Sequence, residues 1–294
     1  MRRTINATAL AIASIAILTC QTWGSTLQDV LDRGQLRHLG VPYAKFVTGA
    51  GDGLDVELMK RFADHLGVAY SYVQSDWDNV IPDLIGKELS VVQGKALLGE
   101  KRPIRGDVIA SGLTVLDWRE ELLLLSFPTF PTQVWLLATS RHPYRPIEPS
   151  GSISTDIERT RDMVKNSTVM GLKDTCLDPL LYDLDKKGGK IVYFDGETND
   201  LVPAMIKGVS DLLLLDVPDF LVSLPSWQGR IKVLGPITET QTMAVAFSLE
   251  GKELKDSFET FFAELIEKGE YREMVTKYYP GLFNHFPLFL SNRN

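Results

Sequence analysis

Short apolar, strand-like runs alternate with helix-period segments twice along this chain, and that alternation restricts it to α/β architectures. In the first run, residues 36–41 read as a strand. Residues 54–66 then repeat Leu54, Leu58, Phe62 and Leu66 at a four-residue step on one helical face, closed by Gly67. A strand at 68–73, a short helix at 80–85 and a strand at 108–110 follow, a βαβ layout that implies parallel pairing. The second run starts with a strand at 168–172, then a helix carrying Leu177, Leu180, Leu181 and Leu184 that ends at Gly188 and Gly189. Strands at 191–194, 212–215 and 231–234 continue it, with helices near 201–206 and from Pro218 between them. Strand-like segments at 133–138 and 242–247 flank this second run, and a helix with Leu254, Phe258, Phe261, Phe262 and Leu265 comes last. If that helix packs on the first unit, the chain crosses twice between two units, and paired crossings can hinge them over a shared ligand cleft.

Composition narrows the function classes. The chain has 294 residues, 44% hydrophobic and 23% charged, which is ordinary for a folded protein of two domains. With 31 basic against 38 acidic residues the formal charge is −7, so no basic excess exists to displace counterions from a phosphate backbone, and nucleic acid is not expected as a partner. Cys20 and Cys176 lie in no CxxC spacing and are too few for a disulfide framework.

The first 24 residues have the three-part layout of a secretory signal peptide: Arg2 and Arg3, an uncharged apolar run over 7–18, then small residues ending at Thr22 and Gly24. The run is shorter than the roughly 20 residues that span a bilayer. Export to the periplasm with a mature chain starting near Ser25 is the expectation. Lipid anchoring at Cys20 is the alternative, and Ile17, Leu18 and Thr19 before it fit a lipoprotein site poorly.

Several chemistries lack their motifs. His38, His65, His142 and His285 are scattered without metal-ligand spacing; Gly49, Gly51 and Gly53 complete no dinucleotide fingerprint; Gly86-Lys87 and Gly94-Lys95 lack the Ser or Thr of a phosphate loop; and no GxSxG turn is present. No cofactor or metal is expected. Thr114 and Arg119, in SGLTVLDWREE, follow the strand at 108–110, and residues at the carboxyl ends of parallel strands line ligand crevices. There Arg119 would grip a carboxylate through paired hydrogen bonds, with Thr114 or the Gly112 amide as a further donor; the competing reading pairs Arg119 with Asp117, Glu120 or Glu121 on the surface. Asp216 ends LLLLD ahead of Val217 and Pro218, a place for an acceptor of a ligand ammonium and equally for a helix N-cap. Phe46 and Trp77 are candidates for an apolar cleft wall or for plain core. Thr175, in KDTC between a strand and a helix, would face an anion or cap the helix, and Cys176 would be a thiol nucleophile or inert packing.

Taken together, GLDVELMKRFADHLGV (53–68), SDWDNVIPDLIGK (75–87), GDVIASGLTVLDWRE (106–120), LLLLDVPDFL (212–221) and the final ELKDSFETFFAELIEKGEYREMVTKYYPGLF (253–283) resemble the family 3 extracellular solute-binding proteins, bilobed periplasmic receptors for polar amino acids. The most specific element is G-L-T-x-x-x-x-R, from Gly112 to Arg119. The resemblance implies an α/β fold of two lobes, each with a mixed, mostly parallel sheet, joined by two hinge strands. Residues 25–133 with 243–294 would form one lobe and 134–242 the other. It implies that Arg119 holds a ligand carboxylate assisted by Thr114 and the backbone at 112, and that Asp216 receives the ammonium. Thr175 and Cys176 would sit where a hydroxyl pair often binds, with Phe46 near the covering aromatic. Cys176 and Leu116 replace usual hydroxyl residues, the loop 42–53 lacks the double proline, and 88–105 is an insertion.

The resulting expectation is a monomeric binding protein that delivers an amino acid or small carboxylate to an ABC permease. An enzyme of the cyclohexadienyl-dehydratase kind, with Asp216, Glu239 or Cys176 as proton donor, is the first alternative. A sensor or accessory module that uses the insertion to dock a partner is the second.

Overall fold

A computed structural model describes residues 25–92, 95–196 and 198–290. The expected signal peptide and Cys20 lie outside the described residues. Among the described residues no helix is long and apolar enough to cross a membrane.

Thr26 and Asp29 cap each other's backbone at the start of α1 (Leu27–Arg33), which Gly34 ends in the left-handed region. β1 (Gln35–Gly40) then leads to α2 (Leu54–Leu66), whose Leu54, Leu58 and Phe62 face the core as their spacing predicts. Gly53 before it has φ +135°, and a Cβ there would fall 2.1 Å from the Phe46 carbonyl oxygen, so only glycine lets the preceding loop fold back on the helix. β2 (Ala69–Gln74) and α3 (Val80–Ile85) follow.

The insertion is a β-hairpin of β3 (Lys87–Val92) and β4 (Lys95–Lys101), paired antiparallel. Its root is tied to the buried Asp83 carboxylate by Arg102 and Arg105, each at 2.7 Å. Next come β5 (Val108–Thr114), the single-turn α4 (Asp117–Glu120), β6 (Leu123–Leu125) and β7 (Phe130–Thr132).

The second unit holds β8 (Val134–Thr139), α5 (Ile153–Asp162), β9 (Thr168–Gly171), β10 (Lys190–Tyr193), α6 (Leu201–Ile206), β11 (Leu212–Asp216), α7 (Val217–Trp227) and β12 (Ile231–Pro236). The chain then returns through β13 (Gln241–Ser248) to α8 (Lys252–Glu267), α9 (Glu270–Tyr278) and α10 (Leu282–His285). The helix expected around Leu177 to Leu184 is only a 3-10 turn, Pro179–Tyr182. Pro179 fits its start under the Asp178 cap, and Asp183 at φ 55° turns the chain out of helix immediately after it.

Both sheets are mixed. The first has the order β2-β1-β5-β13-β6 with β7 beside β13, and β13 runs antiparallel to β5. The second has the order β10-β9-β11-β8-β12, with β9 parallel to its neighbours and β8 antiparallel to β11. Each sheet has its own apolar cluster. In the first, α2, α8 and α9 cover the sheet with Phe62, Phe258, Phe262 and Tyr271; in the second, Leu136, Leu213 and Leu215 are among the residues without solvent contact. The architecture is thus α/β with two lobes. The chain crosses between them after β7 and after β12, and the crossings bond to each other: Gln133 Nε2 donates to the Thr238 carbonyl at 2.8 Å, and the Val134 N–H to Thr238 Oγ1 at 3.1 Å. Two short, mutually bonded crossings keep the lobes aligned while leaving rotation about them as the soft motion.

Candidate ligand site between the lobes

A cleft of about 990 Å³ separates the lobes. One wall is built from the segment after β1, the start of α3, the hairpin residues Leu89 and Val91, and Trp118 and Arg119 of α4; the other comes from 172–175 and 193–196. At its inner end lies a cavity of about 20 Å³, lined by Tyr43, Trp77, Gly112, Thr114, Arg119, Thr175, Cys176 and Asp216 among others. The structure therefore gathers seven of the eight candidate residues around one place. This follows from the topology, because β5 and β11 both end at the facing edges of their sheets.

Arg119 is the site's dominant electrostatic feature. It is 3% exposed, yet among the described residues it has no carboxylate partner, so the surface-pairing reading is overturned. One Nη donates to the Thr114 carbonyl at 2.8 Å and the guanidinium lies over the Trp118 ring at 5.0 Å, while the buried Nε has no acceptor. Burial pulls the guanidinium down to about 10, which leaves it charged at neutral pH. A buried cation lacking a counter-charge is costly unless an anion arrives.

Asp216 fills the N-cap role read for it, and its other oxygen is taken by a tyrosine. Its Oδ1 accepts the Asp219 N–H at 3.2 Å and so caps α7. Its Oδ2 accepts the Tyr43 hydroxyl, a short bond that joins the two lobes. Asp219 is also buried, and burial together with the Asp216 charge pushes its carboxyl well above the usual range. Burial also raises the Asp216 carboxyl, opposed by the hydrogen bonds it accepts from Tyr43 and from the Asp219 N–H.

Three expectations need correction. Phe46 is not a cleft wall: it is 1% exposed and packs in the first lobe's core against Phe130, with centroids 4.9 Å apart, and Tyr279, at 5.2 Å. The Gly112 N–H is not free for a ligand, because it donates to the buried Asp55 carboxylate at 2.7 Å. Gly112 serves the site through its missing side chain. At φ 61° its Cβ would lie 2.5 Å from Phe46 and 2.9 Å from Tyr43, so glycine lets those two rings stack across it. The Thr175 hydroxyl is used within its own turn, donating to the Leu172 carbonyl at 2.9 Å and accepting the Leu177 N–H at 3.0 Å.

Trp77 and Thr114 line the inner cavity. The sequence reading passed over Tyr43, Asp55 and Asp219. Tyr43 carried a usable signal, since it stands three residues past the end of a strand whose carboxyl end faces the crevice.

Cys176 is buried, with Sγ 4.0 Å from Asp216 Oδ2, and burial pushes its thiol up to about 12, with the Asp216 charge raising it further. A thiol so protonated is a poor nucleophile. Native protein at pH 8 is therefore expected to resist iodoacetamide and to incorporate one equivalent on Cys176 after denaturation. Mass spectrometry of the chain starting at Ser25 reads this out; prompt native labelling would contradict the placement.

This geometry and topology define the two-lobed fold of periplasmic binding proteins. Similar solved structures include a mutant of the arginine-binding protein ArgBP from T. maritima (21% identity, 86% of this chain and 99% of that one, TM-score 0.68). Another is an ancestral amino acid-binding protein described as a precursor of cyclohexadienyl dehydratase (19%, 87% and 100%, TM-score 0.66). A third is the substrate-binding protein of an amino acid ABC transporter (18%, 84% and 99%, TM-score 0.64). Among curated proteins the chain is similar to a membrane-bound lytic murein transglycosylase F of Desulfosudis oleivorans, 22% identical over 231 residues. That match covers 78% of this chain and 44% of the relative, so the chain spans less than half the relative's length. No protein-family model matches the chain.

Proposed function

We propose that the chain is a periplasmic substrate-binding protein that captures a small amino acid or related carboxylate between its lobes and delivers it to an ABC importer in the inner membrane. The buried, carboxylate-free guanidinium of Arg119 at the cleft carries this reading. An anion docked there gains charge-assisted hydrogen bonds of roughly 1.5–3 kcal/mol each and neutralises a charge that folding has already desolvated. The amino-acid-binding structures of the same fold support a small-molecule ligand. The apolar run of residues 7–18 supports export, and the protein acts as a monomer in this reading.

A thermal-denaturation screen of the mature protein against amino acids and small organic acids tests the proposal. A true ligand at about 100 times its dissociation constant adds about 2.7 kcal/mol of stability. At least one carboxylate is expected to produce such a shift. A flat response across the panel would remove the ligand-capture reading.

A second reading as an enzyme rests on Asp216, which lines the inner cavity with Arg119 and whose carboxyl burial raises, as a general acid. The dehydratase-precursor structure is in keeping with it. Turnover of prephenate or arogenate by the purified protein would favour this reading, and a stoichiometric complex without turnover would exclude it.

A further inference from the structure

Two residues that line the inner cavity each bury a polar atom with no hydrogen-bond partner among the described residues: Arg119, through Nε, and Thr198, through Oγ1. Arg119 belongs to the first lobe. Thr198 belongs to the second, where it is 5% exposed and opens the 3-10 turn Thr198–Asp200. A hydroxyl and a guanidinium N–H buried without compensation both cost free energy that a suitable ligand atom would recover. The cavity they line is about 20 Å³, room for about one water, so one small head group reaches both.

The other polar groups around this cavity are already engaged. The Thr175 hydroxyl is used within its own turn, and the Gly112 N–H is held by Asp55. Asp216 is the single carboxylate on the lining, and it takes the Asp219 N–H on one oxygen and the Tyr43 hydroxyl on the other. An ammonium placed here would stand beside the Arg119 guanidinium with three donors to satisfy, and it would reach Asp216 only by expelling Tyr43. A neutral oxygen has no such difficulty. The Thr198 hydroxyl can donate to a carbonyl, or donate to and accept from another hydroxyl.

We propose that Thr198 is a ligand-binding residue and that the inner cavity takes the head group of a 2-hydroxy or 2-oxo carboxylate, with the carboxylate on Arg119 and the neighbouring oxygen on Thr198. The inference rests on the ligand-capture reading above and deepens it by naming the head group. Because the two residues come from different lobes, a head group that satisfies both also ties the lobes together. The rest of the ligand lies outward in the wide cleft, whose lining shares Trp77, Arg119, Leu172 and Thr175 with the cavity.

Calorimetric titration of the mature protein with two matched sets of probes tests this: L-lactate, pyruvate, L-alanine and propanoate, and the same four head groups on a 4-methylpentanoate skeleton. In at least one set the 2-hydroxy or 2-oxo acid is expected to bind at least tenfold tighter than both the amino acid and the unsubstituted acid. Thr198→Val, close to isosteric, should erase the advantage over the unsubstituted acid, and Thr198→Ser should keep it; thermal melting without ligand checks that both variants fold. An amino acid bound as tightly as its oxygen counterparts, no advantage over the unsubstituted acid, as when a water alone serves Thr198, or an advantage that survives in Thr198→Val or is lost in Thr198→Ser would overturn the inference while leaving carboxylate capture standing. Failure of all the probes to bind would overturn both.

Discussion

Arg119→Met is expected to leave the unliganded protein at least as stable as the wild type and to abolish stabilisation by ligand. Both halves follow from the same placement. The guanidinium is buried without a counter-ion, so it contributes a desolvation cost to the folded state that its one bond to the Thr114 carbonyl and its contact with Trp118 offset only in part. Methionine keeps the apolar bulk against Trp118 and removes the charge. With ligand present the sign reverses: the wild type gains about 2.7 kcal/mol at 100 times the dissociation constant, and the variant gains nothing. Urea denaturation with and without ligand measures the four states. A variant markedly less stable than wild type without ligand would show that Arg119 is a structural residue.

The second large effect belongs to Asp55, on α2 behind the site. Burial raises its carboxyl to about 7, opposed by the hydrogen bond from the Gly112 N–H, and its other oxygen has no partner. In the unfolded chain the same carboxyl titrates near its ordinary value of 3.8. Between these values the unfolded chain releases the proton while the folded one keeps it, so this residue's contribution to stability falls as pH rises from about 4 to about 7 and is level above that. Asp55→Asn removes the titration and keeps an acceptor for Gly112. The variant should match the wild type near pH 4 and exceed it by a few kcal/mol at pH 8, on the order of 1.4 kcal/mol per pH unit between. Urea midpoints at pH 4.5, 6 and 8 follow the divergence; a difference independent of pH would contradict the burial assigned to Asp55. Ligand binding should persist, since the Tyr43 and Phe46 stack over Gly112 is undisturbed.

What the sequence revealed depended on which interactions are local. The strand-to-helix alternation and the four-residue step from Leu54 to Leu66 are local patterns, and they carried the α/β fold and most of the elements. Arg119 and Asp216 were legible because both follow apolar strands, and strand ends define a crevice in α/β folds. Phe46 and Tyr43 stand three residues apart in VPYAKF, and nothing local distinguishes the ring that enters the core from the ring that faces the cleft. Their assignment depends on the bare surface of Gly112, some 70 residues away in the chain. Asp55 reads in sequence as an ordinary first-turn acid, and only burial against that same glycine reveals its partner. The leucine spacing from Leu177 to Leu184 suggested a helix because periodicity registers burial, which a 3-10 turn ended by Asp183 provides equally well. In the hairpin, alternate residues Leu89 and Val91 pack on the first lobe, with Ala96 opposite Val91, a period-two pattern that mixed polar neighbours obscure.

Arg119 as the anchor for a ligand's carboxylate is the feature on which the proposed function turns. Calorimetric titration of the wild type and of Arg119→Met with the strongest ligand from the denaturation screen tests it most directly. The wild type is expected to give a saturable one-to-one isotherm, with affinity near the micromolar range that corresponds to about −8 kcal/mol, and the variant no measurable heat of binding. An Arg119→Met protein that binds the same carboxylate with undiminished affinity would contradict it.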